Sequence, residues 1–144
     1  MDTPLYLLDT NILVHFVRRD AVWNSVSERY RLLLIDPAPI ISIVTSAELR
    51  SLAFQNGWGK PKIDQMEFGL GYFDEIFIDN RAIVDAYASI DAYFSRQGRP
   101  MGKNDLWIAA TTHALGARLL TTDRDFDPLS PMFLERDWID ASVK

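Results

Sequence analysis

Asp9, Glu48, Asp105 and Asp123 are the residues best placed to do chemistry, because each borders an apolar run. Asp9 directly follows Leu5-Tyr6-Leu7-Leu8, and Glu48 lies one helical turn beyond Ile40-Ile41-Ser42-Ile43-Val44. Asp105 opens the stretch that ends at Gly116, and Asp123 follows Ala117-Arg118-Leu119-Leu120-Thr121. Carboxylates brought together repel one another, so their pKa values rise unless a cation joins them. There is no cysteine and there are only two histidines, so such a set would offer oxygen ligands alone. Hard oxygen ligands favour Mg²⁺ or Mn²⁺ over zinc. The matching chemistry is metal-assisted phosphodiester hydrolysis, which needs no histidine base.

The surrounding elements decide whether these acids meet. Residues 5–8, 40–44, 75–78, 117–121 and 133–139 read as short strands, several of them rich in β-branched or aliphatic residues. Helical spacing of apolar residues marks a helix from about Asn11, one over 23–35, one over 62–72 and an amphipathic one over 81–97. Thr45-Ser46 reads as the cap of a helix Ala47–Gln55 stopped at Asn56-Gly57, and Asn104 as the cap of a helix Asp105–Leu115 stopped at Gly116. Strands alternating with helices argue for a mainly parallel sheet covered on both faces, an α/β class. In such sheets working residues gather beyond the carboxyl ends of the strands. That edge is where all four acids fall.

Each acid also has an ordinary structural reading. Thr45-x-x-Glu48 has the spacing of a capping box. Asp105 could serve a helix dipole and Asp123 a turn. Asp9 is harder to explain away, since a carboxylate at the end of a buried strand is costly unless it is paired.

Composition bounds the rest. The 144 residues suit one domain, 1–144, with no linker between separable parts. A hydrophobic share of 48% with 24% charged residues is a globular balance, and the net charge of −5 excludes a general nucleic-acid-coating protein. Lack of cysteine, of a leader-like start after Met-Asp-Thr-Pro and of a long apolar run points to the cytoplasm, with no membrane span.

Four segments carry a resemblance. Leu7-Leu8-Asp9-Thr10-Asn11-Ile12-Leu13, Thr45-Ser46-Ala47-Glu48-Leu49-Arg50, Asn104-Asp105-Leu106-Trp107-Ile108-Ala109-Ala110 and Leu120-Thr121-Thr122-Asp123-Arg124-Asp125-Phe126 resemble the signature segments of PIN-domain ribonucleases, above all the VapC-type toxins of toxin–antitoxin pairs. The order and spacing agree over nearly the whole chain. The resemblance implies a three-layer α/β/α sandwich, Mg²⁺- or Mn²⁺-dependent cleavage of single-stranded RNA, a homodimer and an antitoxin partner. It implies Asp9, Glu48 and Asp105 as core acids and Asp123 as the fourth, with Asp125 and Asp127 in the same loop as alternatives. Thr10, Asn11 and Thr121 match supporting positions. Many family members act on tRNA, a choice these motifs do not fix.

Positive charge is grouped beside the acids. Arg50, Lys60 and Lys62 fall in one acid-free stretch, and Arg96, Arg99 and Lys103 in another. Arg50 and Lys103, nearest to Glu48 and Asp105, are the expected RNA-binding residues. Trp58, between two glycines, is expected to be exposed, whereas Trp107, His15 and His113 read as packed or satisfied helix residues. Phe68, Tyr72 and Phe73 belong either to the core or to a partner surface. Two other functions compete. An aspartyl-phosphate phosphotransferase or phosphatase also places an aspartate after its first strand, but a haloacid-dehalogenase-type site wants a second one where Asn11 stands. A non-catalytic PIN-like interaction module would not need all four acids.

Overall fold

The computed structural model describes residues 3–142; Met1 and Asp2, part of the start read above as leaderless, lie outside them. Five parallel strands form one sheet in the order β3-β2-β1-β4-β5. They are β1 (Tyr6–Leu8), β2 (Ile40–Ser42), β3 (Asp74–Ile76), β4 (Arg118–Thr121) and β5 (Glu135–Trp138). The helices are α1 (Thr10–Arg18), α2 (Ala21–Tyr30), α3 (Ile43–Gln55), α4 (Lys60–Leu70), α5 (Arg81–Arg96) and α6 (Lys103–Leu115), with a 3-10 helix at Arg124–Leu129.

Strand alternation builds two cores from adjacent residues. Leu8, Ile41 and Leu120 face Ile12, Leu13, Trp23 and Leu49 on one side. Leu7, Ile40 and Leu119 face Ile90, Phe94, Leu106 and Phe126 on the other. The strands are only three or four residues long, so few ladder hydrogen bonds hold them. Each such bond contributes about 1 kcal/mol net, against roughly 1.5–3 kcal/mol for a fully buried aliphatic side chain. Helices on both faces, more than the ladder, therefore fix the sheet, as the three-layer α/β expectation requires.

Two expected helix starts are corrected. Ser42, not Thr45-Ser46, caps α3: its hydroxyl accepts from the Val44 N–H at 3.0 Å. The strand expected to run to Val44 therefore stops at Ser42, since β-branched residues have only weak preferences and yield to a capped helix. Likewise α6 starts from Gly102 without a side-chain cap, and Asn104 lies inside its first turn. Both early starts matter for the site. In α3, Thr45 and Glu48 become one-turn neighbours on the same helix face, which replaces the capping-box reading.

Candidate active site

Chain order reverses across the sheet at β1, with β2 on one side and β4 on the other, so a crevice opens beyond its carboxyl end. Asp9 stands there. It is only 3% exposed and caps α1, accepting from the Thr10 N–H at 2.7 Å. Its other oxygen accepts from the Thr121 hydroxyl, also at 2.7 Å, at the end of the neighbouring β4. Thr10 donates its hydroxyl proton to Glu48 at 2.6 Å, and so must accept from the Thr45 hydroxyl at 2.9 Å. A Thr45–Thr10–Glu48 relay thus ties α3 to α1.

Asp105, in the first turn of α6, lies with Asp123 and Asp125 so that one oxygen from each falls within 4.8 Å of the others. Asp123 caps the 3-10 helix, accepting from the Asp125 N–H at 2.8 Å, and its own N–H reaches the Thr121 hydroxyl at 2.9 Å. The turn reading of Asp123 is therefore correct in itself, and it sits among the acids as well. Asp127 points elsewhere, to Arg136 at 3.0 Å and Arg124 at 3.4 Å.

Electrostatics binds the set together. Burial pushes the Asp9 carboxyl up to about 7, against the pull of the Thr121 and Thr10 hydrogen bonds, with further repulsion from Asp105 and Asp123. Asp105 rises to about 6, through burial first and then the charges of Asp123, Glu48 and Asp125. Acids that raise one another's pKa in an all-oxygen pocket fit a hard divalent cation, which would relieve both the repulsion and the desolvation. No histidine competes as a ligand: His15 is bonded to Asp20 and His113 to the Phe133 carbonyl, which matches their expected roles.

The remaining expected residues divide. Asn11 is exposed beside the site. Arg50 bonds the Ser46 carbonyl at 2.9 Å and Glu67 at 2.7 Å, so its guanidinium is committed within the α3–α4 side. Lys60 pairs with Asp64, and Lys62 lies 4.0 Å over the Trp58 ring. Trp58 is accordingly half-buried against the core, not free as expected. Lys103 is exposed at the start of α6. Trp107 packs on Tyr87, with ring centroids 4.1 Å apart, as expected of a helix residue, yet it also lines a groove shared with Glu48 and Asn104. Of the aromatic trio, Phe73 is core, while Phe68 and Tyr72 are 77% and 48% exposed. Sequence reasoning did not single out Arg124, which flanks the acids; its place in the fourth signature segment was the available signal.

This crevice, sheet order and acid set define a class of protein, and comparison with known families agrees. The PIN domain family matches residues 6–130, and the chain belongs to it, in its VapC-type branch. It is 30% identical to ribonuclease VapC1 of Haemophilus influenzae (strain R2866) over 93% of this chain and 98% of that protein. Among solved structures, VapBC-1 from nontypeable H. influenzae superposes with a TM-score of 0.77 at 30% identity, covering 93% of this chain and 97% of that one. VapBC2 from Rickettsia felis, solved bound to a promoter DNA fragment, gives 0.81 at 22% identity over 94% and 99% of the two chains, a likeness of fold. No helix of the described residues is long and apolar enough to cross a membrane.

Proposed function

We propose that the acid-lined crevice is the centre of a metal-dependent endoribonuclease, and that the chain, a single PIN domain over 1–144, is the toxin of a toxin–antitoxin pair. The observation that carries the chemistry is the convergence of Asp105, Asp123 and Asp125, one oxygen of each within 4.8 Å of the others, beside the buried Asp9. Asp9, Glu48, Asp105 and Asp123 would hold Mg²⁺ or Mn²⁺, and Asp125 lies close enough to Asp105 and Asp123 to share their part of the site. Bound there, a divalent cation supplies Lewis-acid polarisation of the phosphodiester and activation of water.

The chain's own residues do the rest. Thr121 and the Thr45–Thr10–Glu48 relay lock two carboxylates in fixed rotamers, so little reorganisation is needed at reaction. With both histidines bonded elsewhere, the open-side acids Asp105 and Asp125 are the groups placed to take the proton of the attacking water. The water oxygen joins phosphorus, the phosphorus–oxygen bond to the leaving sugar breaks, and the leaving oxygen takes up the proton that the acid had accepted from the water. An aspartyl-phosphate route fits poorly, because both oxygens of the nearly inaccessible Asp9 already accept hydrogen bonds.

Partner surfaces support the toxin reading. Phe16, Leu33, Phe68 and Tyr72 border a cavity of about 560 Å³ that Arg19 and Lys62 also line. An apolar segment of an antitoxin carrying acidic residues suits it, and the chain would act as a homodimer in the cytoplasm.

The test incubates purified protein, freed of any antitoxin, with a structured RNA pool in Mn²⁺ or in EDTA. Wild type should cut RNA only with Mn²⁺. Asp9→Asn should lose at least about 10³-fold of that rate, as expected when several kcal/mol of metal-borne stabilisation disappear. Cleavage in EDTA, or equal cleavage by Asp9→Asn, would defeat the proposal.

A further inference from the structure

Two arginines open onto the cavity of about 420 Å³ beside Asp105 and Asp125. Arg99 comes from the connection between α5 and α6, and Arg124 begins the 3-10 helix after β4. The chain therefore brings cations from two separate connections to one groove. Met101, Pro100 and Pro128 form its apolar wall.

These cations are held differently from those on the α3–α4 side. There, Arg50 and Lys60 have acidic partners at 2.7 and 2.6 Å. Arg99 is exposed and has no ion-pair partner among the described residues. Arg124 stacks its guanidinium 3.7 Å from the centroid of the Trp138 ring, and that ring is itself fixed by a 3.1 Å bond from its N–H to the Thr122 carbonyl. Its contact to Asp127 is 3.4 Å long, and Asp127 already accepts from Arg136 at 3.0 Å. An exposed ion pair contributes about 0–1 kcal/mol, and a cation over a tryptophan face about as much or more. Stacking therefore orients Arg124 at least as firmly as Asp127 does. A guanidinium held by its face keeps edge N–H donors for an anion, in the geometry that suits a phosphate.

We propose that Arg99 and Arg124 form a clamp for an RNA backbone phosphate one nucleotide along from the scissile bond, on the Asp105–Asp125 side of the crevice. The proposal rests on the ribonuclease reading for the position of that bond. Arg124 is the fixed jaw and Arg99 the movable one. The strand then leaves the carboxylates along a groove that Arg99 and Arg124 line together with Asp105 and Asp125, while the scissile phosphate stays over the acids. The competing role for the same arginines is to balance the charge of the carboxylates without touching RNA.

The experiment has two arms. In the binding arm, Asp9→Asn protein is titrated with a labelled twelve-nucleotide single-stranded RNA in Mn²⁺ at several salt concentrations. Adding Arg99→Ala or Arg124→Ala should weaken binding about tenfold each, the worth of one charge-assisted contact. Each should also flatten the slope of log affinity against log salt by about 0.7. Arg81→Ala is the control; it removes a cation near the start of α5, where Ala82 and Asp85 share a groove with His113 at the far end of α6. In the cleavage arm, the same substitutions in wild type should raise KM about tenfold and leave kcat within about twofold. Arg99→Lys should recover part of the KM loss. Binding and salt slope equal to the Arg81→Ala control would overturn the clamp, whether or not wild type cuts RNA. A lower metal-free melting temperature and a larger Mn²⁺ melting shift, with unchanged RNA binding, would assign the arginines to charge balance instead. A clamp seen in the binding arm while wild type cuts nothing would keep the clamp and defeat the nuclease reading.

Discussion

The two halves of the acid rim hold their charge in opposite ways. On the β1–α3 side, Asp9 is nearly inaccessible with both oxygens occupied, and Glu48 is fixed by a chain of two threonine hydroxyls. On the α6–β4 side, Asp105, Asp123 and Asp125 crowd their oxygens within 4.8 Å, and the nearest support is a backbone N–H on Asp123. One half is rigid and preorganised; the other is open and strained by repulsion. On the proposed reading, a divalent cation would gain fixed ligands from the first and relieve the second. Cations bound in the crevice would offset part of the net charge of −5 that weighs against RNA.

The largest effect that tests this contrast is the pH dependence of metal-free stability. Burial pushes the Asp9 carboxyl up to about 7 in the fold from an ordinary 3.8, so its charged form is disfavoured in the native state. Below about pH 4 folded and unfolded chains both hold the proton. Between 4 and 7 only the folded chain holds it, so stability falls as pH rises through that window. Asp105, near 6, adds a loss over the lower part of the same window. At about 1.4 kcal/mol per unit, Asp9 alone is worth on the order of 4–5 kcal/mol. In EDTA the melting temperature should therefore drop from pH 5 to pH 7.5, and Asp9→Asn should flatten the slope. Mn²⁺ at pH 7.5 should restore the lost stability. A flat profile for the wild type would show that the buried half carries no such penalty.

Much of this was legible in the chain. Asp9 and Asp123 lie directly after strands whose apolar runs are unmistakable, so the sheet rule located them without coordinates. What was not legible came from helix starts and from long-range pairing. Ser42 outcompeted two β-branched residues for the start of α3, and that shift places Thr45 against Thr10. The cations of 50–62 and 96–103 looked alike as sequence. Their difference arises from Asp64, one turn along α4 from Lys60, and from Glu67, which reaches Arg50 only across the α3–α4 contact, leaving the second stretch without such partners among the described residues. Arg124 was hidden for a related reason: nothing local shows that Trp138, on the far edge strand, lies beneath it.

A middle-sized effect separates support from ligation within the rigid half. Thr121→Val removes the hydroxyl that fixes Asp9 and also the acceptor for the Asp123 N–H. Thr45→Val interrupts only the relay to Glu48. Loss of such a supporting hydrogen bond typically costs about 10–100-fold in metal affinity or activity. Thr121→Val should lie nearer the upper end and Thr45→Val nearer the lower, measured as Mn²⁺ affinity and as kcat on the same RNA. Equal effects would mean that the two supports are not graded by the number of acids they serve.

The smallest effect decides which acid of the β4 loop belongs to the open half. Asp125 faces Asp105 and Asp123, so neutralising it with Asn should relieve repulsion in the metal-free protein and weaken the Mn²⁺-induced melting shift. Asp127 instead accepts from Arg136 at 3.0 Å at a partly exposed site. Asp127→Asn should cost no more than about 1 kcal/mol of stability, the range of such pairs, and leave the Mn²⁺ shift unchanged. The two substitutions remove the same charge two residues apart, so a common background field would affect them alike. Opposite signs in metal-free stability, with only Asp125→Asn altering the Mn²⁺ response, would locate the boundary of the metal-binding half between Asp125 and Asp127.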